Sequence, residues 1–239
     1  MKIFIPETEE NTSVFLSGED ARHLFAHRPQ PGDPVFCGDG QKNNYNGRIE
    51  KITKDGVYIL IEEKIPFSRP KAEITLFAAL LKGDKNEFVI QKATELGVSK
   101  IVFFESDNCV MRLDEKKKDG KKERFEKIAR QAAMQCGRDT LPEIGDFTDF
   151  DGIFDTNRPV FFYENAKALG KPLFSEYLKN NAIKDRFSFI VGPEGGFSEK
   201  EVRVALEKAE TVSLGERILR AETVPIAVLS VIAAAIGEM

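Results

Sequence analysis

Cysteine and histidine are scarce in this chain, and their scarcity removes several kinds of chemistry. Only three cysteines (Cys37, Cys109, Cys136) and two histidines (His23, His27) occur in 239 residues. The cysteines are odd in number and far apart, so they suggest neither a disulfide framework nor a Cys-x-x-Cys metal site. His23 and His27 stand four apart on one helix face, but no third ligand is close in sequence, and no metal is expected. Long apolar runs are missing too. The longest, 224–236, falls short of the roughly 20 residues that cross a bilayer and is broken by Ser230. The opening Met1-Lys2-Ile3-Phe4-Ile5 runs at once into Pro6 and Glu7, unlike a signal peptide. These absences lead to the expectation of a cytoplasmic protein without a membrane partner. There is no Gly-Lys-Ser/Thr of a P-loop and no G-x-G-x-x-G of a dinucleotide fold. Nor is there an excess of positive charge. Thirty-five basic and 39 acidic side chains give a net charge of −4, which argues against broad coating of nucleic acid but leaves room for local phosphate contacts.

What is present is an ordinary globular balance, 41% hydrophobic and 31% charged. Residues 1–68 read as short strands at 2–5, 14–16, 35–37, 45–52 and 57–62, separated by turns such as Gly38-Asp39-Gly40, with a short helix at 19–26. Five small strands in so short a stretch suggest a compact β-barrel. Pro66-Phe67-Ser68-Arg69-Pro70 reads as a linker, since two prolines resist a regular element. From residue 72 strands alternate with helices. Strands are expected at 74–80, 100–104, 159–163, 187–191 and 211–214. Helices are expected at 84–97, opened by a capping box of Asp84 and Glu87, and at 121–136, 172–179, 199–209 and 224–237. This alternation implies a mostly parallel sheet covered by helices. The last helix is apolar almost all round, as in a core or a subunit interface.

Two loops carry the chemical interest. Gly192-Pro193-Glu194-Gly195-Gly196-Phe197 follows the 187–191 strand and leads into a helix with Ser198 as N-cap and Glu201 completing a capping box. Such an edge commonly faces a ligand. Glu194 would repel a diphosphate there, so a ligand without phosphates, or a cationic one, fits better. A tight structural turn explains the same glycines equally well. The second loop, Leu214-Gly215-Glu216-Arg217-Ile218-Leu219-Arg220-Ala221-Glu222-Thr223, offers backbone amides, apolar side chains and two guanidinium groups, a set able to hold a heterocycle. A basic run from Arg112 to Arg130 is interrupted by acids and reads as a solvated face or a phosphate contact. Arg22, His23, His27 and Arg28 place four further polar contacts within seven residues.

Together with Leu81-Lys82-Gly83-Asp84-Lys85, Ile90-Gln91-Lys92-Ala93-Thr94-Glu95-Leu96-Gly97-Val98, Gln135-Cys136-Gly137-Arg138 and Leu141-Pro142-Glu143-Ile144, these loops resemble the bacterial small-subunit ribosomal RNA methyltransferases that modify N3 of a uridine, of the SPOUT (trefoil-knot) superfamily. The resemblance covers nearly the whole chain. It implies a PUA-like, RNA-binding β-barrel over 1–68 and a knotted α/β methyltransferase domain over 72–239, with helices on both faces of its sheet. It also implies S-adenosylmethionine as methyl donor, 16S ribosomal RNA of the small subunit as substrate, and a homodimer. Carried residue by residue, it implies donor contacts from Glu164, Asn165, Gly192, Pro193, Gly195, Gly196, Leu214, Gly215, Arg217, Ile218 and Leu219. Arg220 would stabilise charge on the uracil, and Glu194 or Glu222 would position the base or take its proton. Arg22, His23, Arg28, Arg112 and Arg138 would contact RNA. Three positions depart from the family pattern: His27 stands where an apolar residue is usual, Asn108 where an arginine is, and Met134 where a glutamate is common. All three are expected to bear on RNA docking and not to touch the donor loops. A noncatalytic assembly factor on the same fold, and a small-molecule enzyme on an ordinary doubly wound sheet, are the competing readings.

Overall fold

The computed structural model describes residues 2–112, 114–154 and 158–239. The chain divides into two compact units, Met1–Arg69 with Gln131–Leu141, and Pro70–Arg130 with Pro142–Met239.

In the first unit, β1 (Lys2–Phe4), β2 (Ser13–Ser17), β3 (Pro34–Gly38), β4 (Asn44–Ile52) and β5 (Gly56–Ile65) form one sheet in the order β1-β3-β4-β5-β2. Only the β1–β3 pair is parallel. Alternation along the strands turns Leu16, Val35, Cys37, Tyr45, Ile49, Val57, Ile59 and Ile61 into the core, where Leu24 of helix α1 (Gly18–Ala26) joins them. Gly56 has no room for a side chain, because a Cβ there would overlap the Leu16 carbonyl. Helix α3 (Glu115–Cys136) ends within this unit and adds Ala133 and Met134 to its core. Met134 is therefore a packing residue. A glutamate at this buried position would have to be desolvated.

In the second unit the sheet is built from β6 (Glu73–Ala79), β7 (Lys100–Glu105), β8 (Glu143–Ile144), β9 (Thr148–Asp149), β10 (Val160–Phe162), β11 (Arg186–Val191) and β12 (Glu210–Val212). The order is β12-β10-β11-β6-β7-β8, with β9 also on β7, and every pairing is parallel. Central strands of such a sheet are apolar on both faces, and Phe187, Phe189, Ile190 and Val191 of β11 are all buried. Around it run α2 (Lys85–Glu95), the first turns of α3, α4 (Phe174–Asn180), α5 (Glu199–Lys208) and α6 (Thr223–Ile236). They contribute Val89, Ile90, Ala93, Phe125, Ala129, Phe174, Ala205, Val228, Leu229 and Ile232 to one core. Because β6 pairs with β7 on one side and β11 on the other, the sheet reverses winding between β6 and β11, and ligands bind beyond the carboxyl ends of strands at such a point.

Two expectations are corrected here, for α2 and α3, and the burial of α6 is divided. Asp84 does not cap α2: its backbone is turn-like (φ −88°, ψ 1°), it makes no side-chain cap bond, and Glu87 instead pairs with Arg124 at 2.6 Å. Helix α3 begins at Glu115 and not at 121, so much of the charged run is helical despite Gly120. Helix α6 is not wholly enclosed. Val228, Leu229, Ile232 and Ala233 are buried, whereas Val231 is 40% exposed.

Candidate active site

Four loops at the carboxyl edge of the second sheet enclose a cavity of about 520 Å³, within the usual range for small-molecule sites. The loops follow β6, β10, β11 and β12. Phe162, Tyr163 and Glu164 come from the end of β10, residues 191–197 from β11 and the loop after it, residues 214–215, 217–222 and 224 from the chain after β12, and Lys85 from the start of α2. Every expected donor-binding residue lines the cavity except Asn165, whose side-chain amide donates to the Tyr163 hydroxyl at 3.3 Å. Arg220, Glu194 and Glu222 line it as well.

The glycine loop is shaped by close approach and by the helix after it. Gly192 lies against the Phe197 ring, which a Cβ would strike. Gly196 adopts φ +69° and donates to the Pro193 carbonyl at 3.0 Å, a turn that disfavours a side chain. The Ser198 capping box of α5 is formed as the spacing implied. The Ser198 hydroxyl accepts from the Glu201 amide at 3.2 Å, and the Glu201 carboxylate accepts from the Ser198 amide at 2.8 Å.

Glu201 does more than cap. It is buried, and its carboxylate also accepts from the Ser106 hydroxyl and the Asp107 amide, both at 3.0 Å. The Ser198 hydroxyl donates to Asp107 at 2.6 Å. The Asn108 amide donates to the carbonyls of Gly196 at 3.1 Å and Gly195 at 3.4 Å. The turn after β7 is thus lashed to the glycine loop residue by residue. This overturns the expectation that Asn108 stays clear of the donor loops. The Asn108 amide is bonded to the glycine loop itself.

On the opposite side of the glycine loop, Glu194 accepts from the Lys82 amide at 3.2 Å and from Lys85 Nζ at 3.1 Å. Lys85 Nζ also lies 3.2 Å from Glu222 Oε2. That oxygen is buried and accepts no directed hydrogen bond, so the second contact is ionic. Burial pushes the Glu194 carboxyl up, but hydrogen bonds from its own amide, Lys85 and the Lys82 amide outweigh it and hold the pKa below the ordinary value. Lys85 is raised by the carboxylates it faces, Glu194 first and Glu222 second. Sequence reasoning quoted Lys85 in a motif without giving it a role. Its position six residues beyond the carboxyl end of β6, at the start of α2, was the available signal. By contrast Arg220 and Arg217 are exposed, and neither guanidinium has a partner among the described residues. Lys167 and Glu216 tie the β10 and β12 loops together at 2.5 Å.

The expected RNA contacts are distributed more widely. Arg22 is exposed on α1, and His23 packs edge-on to His27 with ring centroids 5.5 Å apart. Burial, then His27, lowers the His23 pKa against the pull of Asp20. Arg28 follows the helix at φ 51°. Arg138 lies in the segment belonging to the first unit and bonds Thr140 at 2.8 Å. In the second unit Arg112 is engaged by Glu105 at 3.2 Å and the Asp107 carbonyl at 2.8 Å. Of the basic run, Lys122 pairs with Asp146 and Arg124 with Glu87. Among the described residues no group of three or more His, Cys, Asp or Glu is placed to hold a metal ion. No helix of the described residues is long and apolar enough to cross a membrane.

The sequence pattern described as an RNA methyltransferase domain matches residues 68–233, which include the parallel sheet and all the loops of this cavity, and places the second unit in that class. The chain is 32% identical over 234 residues to the ribosomal RNA small subunit methyltransferase E of Bacillus subtilis, covering 95% of this chain and 91% of that protein. It belongs to the ribosomal RNA small subunit methyltransferase E family. Among solved structures, it resembles a putative methyltransferase of Legionella pneumophila in complex with bound SAM (29% identity, TM-score 0.88, 98% of this chain and 97% of that one). It also resembles the Neisseria gonorrhoeae ribosomal RNA small subunit methyltransferase E bound to S-adenosyl methionine (25% identity, TM-score 0.87, 98% and 96%).

Proposed function

We propose that this chain transfers a methyl group from S-adenosylmethionine to N3 of a uridine in the 16S ribosomal RNA of the small subunit. The observation that carries the reading is the cavity itself, where an unpaired guanidinium, Arg220, and two carboxylates, Glu194 and Glu222, line one ligand-sized space. The residues present fit the donor. Carboxylates in place of a phosphate cradle suit a cationic ligand, and Leu214, Leu219 and the loop backbone at 192–196 suit its uncharged parts. Glu164, the 192–196 turn and the 214–219 stretch would hold it, with Asn165 acting from outside the cavity wall.

When bound, the donor supplies a methyl group made electrophilic by its sulfonium. The protein's task is to make uracil N3 a nucleophile. N3 carries a weakly acidic proton, and negative charge spreads to the flanking carbonyl oxygens as it leaves. Arg220 is free to hydrogen-bond those oxygens as charge develops. Glu194 or Glu222 accepts the proton at a carboxylate oxygen. The N3 lone pair then forms the new N–CH₃ bond while the pair of the broken S–CH₃ bond returns to sulfur.

The reading extends to a PUA-like, RNA-binding class for the N-terminal unit, with Arg22, His23, Arg28 and Arg138 among its contacts and Arg112 contributing from the second unit. It includes a trefoil knot in the C-terminal unit and a homodimer that covers the exposed side of α6 around Val231. Small ribosomal subunits and their protein-free RNA, taken from cells lacking the activity, are incubated with radiolabelled donor and the product nucleoside identified by mass. Label in N3-methyluridine supports the reading, and label elsewhere refutes the position. Donor binding without label in either substrate turns the reading to another RNA, and no donor binding favours a noncatalytic assembly factor. In the same assay Arg220→Ala is expected to lower kcat by about 10²–10³ with donor Kd little changed, and unchanged turnover removes Arg220 from the mechanism.

A further inference from the structure

Lys85 stands between the two carboxylates to which the chemistry above gives the proton. Its ammonium is 3.1 Å from Glu194 and 3.2 Å from Glu222. These three residues come from loops after three different strands, β6, β11 and β12. Two carboxylates facing one space without a cation repel, and one of them then retains a proton well above the ordinary carboxylate range. A carboxyl group that already holds a proton cannot take another from N3. The other charged groups around the cavity do not replace the ammonium. Arg217 and Arg220 have no carboxylate partner among the described residues, Lys82 reaches Glu194 only through its backbone amide, and Glu164 adds negative charge.

We propose that Lys85 is a positioning residue for methyl transfer: it holds Glu194 and Glu222 side by side without a proton shared between them, so that whichever of the two faces N3 can accept the uracil proton. The inference rests on the proposed N3 methylation. The 3.1 Å hydrogen bond to Glu194 and the ionic contact to the buried Glu222 oxygen place the charge where both carboxylates are served by it. The raised basicity of Lys85 and the depressed pKa of Glu194 agree with that arrangement.

The test is the pH dependence of kcat, once wild-type protein has been shown to make N3-methyluridine, so that failure of the underlying reading appears first and separately. With wild type, kcat is expected to show no acid limb from a proton shared between the two carboxylates, because the Lys85 ammonium lies within 3.2 Å of both. In Lys85→Met the two carboxylates share a proton and an acid limb appears, along which kcat falls about tenfold per pH unit. Activity then recovers as pH is raised. Lys85→Arg, which keeps a cation between the carboxylates, restores the wild-type profile. A merely structural role lowers kcat by the same factor at every pH, and a Lys85→Met profile parallel to wild type overturns the proposal. If Lys85→Met is not recovered folded, Lys85→Gln, which keeps the stem and a polar end, reads the same limb.

Discussion

Replacing Glu201 by alanine tests whether the glycine loop is held by the network beneath it. The wild-type carboxylate is 4% exposed and accepts from Ser198 N–H at 2.8 Å and from Asp107 N–H and Ser106 O–H at 3.0 Å. Alanine removes all three acceptor contacts. The serine hydroxyl can rotate to another partner, but the two backbone donors are fixed. Each buried donor left unpaired costs about 1–3 kcal/mol, partly offset because a desolvated charge is removed as well. The expected net loss is about 3 kcal/mol, or roughly 6–12 °C in melting midpoint for a unit of this size. Glutamine keeps one acceptor oxygen but turns a donor toward one of the three partners, so Glu201→Gln should lose about 1–2 kcal/mol. Urea unfolding followed by circular dichroism gives the stability, and calorimetric titration with S-adenosylmethionine gives the effect on the loop, where weaker binding is expected. A loss below about 1 kcal/mol for Glu201→Ala refutes the argument, since it means the three donors find other partners at no cost.

Asn108→Asp keeps the side-chain shape but turns an acceptor toward the Gly195 and Gly196 carbonyls, and donor Kd should weaken about tenfold, roughly 1.4 kcal/mol, with little change in melting temperature. Unchanged affinity in calorimetric titration counts against a loop-holding role. Asp39 accepts from the amides of Gln41, Lys42 and Asn43 and from the Asn43 side chain; although burial opposes it, these bonds hold its pKa at about 2. A depressed folded-state pKa contributes stability above the ordinary value near 3.8 that is lost as pH falls through about 2. After allowance for solvent screening this is about 1 kcal/mol, so Asp39→Asn should be less stable by that amount at pH 7 and equal to wild type near pH 2 in urea unfolding. Burial pushes the Cys37 thiol up to about 12 and raises Cys109, whereas Cys136 is exposed. A thiol reagent at pH 8 should therefore modify one residue quickly in the native protein, and Cys136→Ser should remove that phase.

Much of the second unit was legible because its strands are short apolar runs between turn signals, and because the Ser198–Glu201 capping box is a local pattern that the structure completes. The Asp84–Glu87 pattern looked the same and failed, since a tertiary partner, Arg124, takes the Glu87 side chain. The start of α3 was hidden by a charged stretch without apolar periodicity around Gly120. Both main loops of the cavity could be read from glycines and charge, but Lys85 could not, because its partners are two carboxylates more than 100 residues away in the chain. Asn108 was misjudged for the same reason. Its partners are backbone carbonyls 87 and 88 positions on, and a carbonyl has no letter in a sequence. The passage of 131–141 into the first unit likewise has no local sign.

The wall of the cavity is assembled from segments at 85, 162–164, 191–197 and 214–224. No contiguous fragment much shorter than the C-terminal unit contains all of them, and the last to leave a ribosome is also the one that carries Arg220. A nascent or clipped chain ending before residue 214 would retain the central strands yet lack a wall of the cavity. The cavity is consequently a product of nearly the whole unit: its walls meet only once the segment after β12 has been made and has folded back onto the sheet.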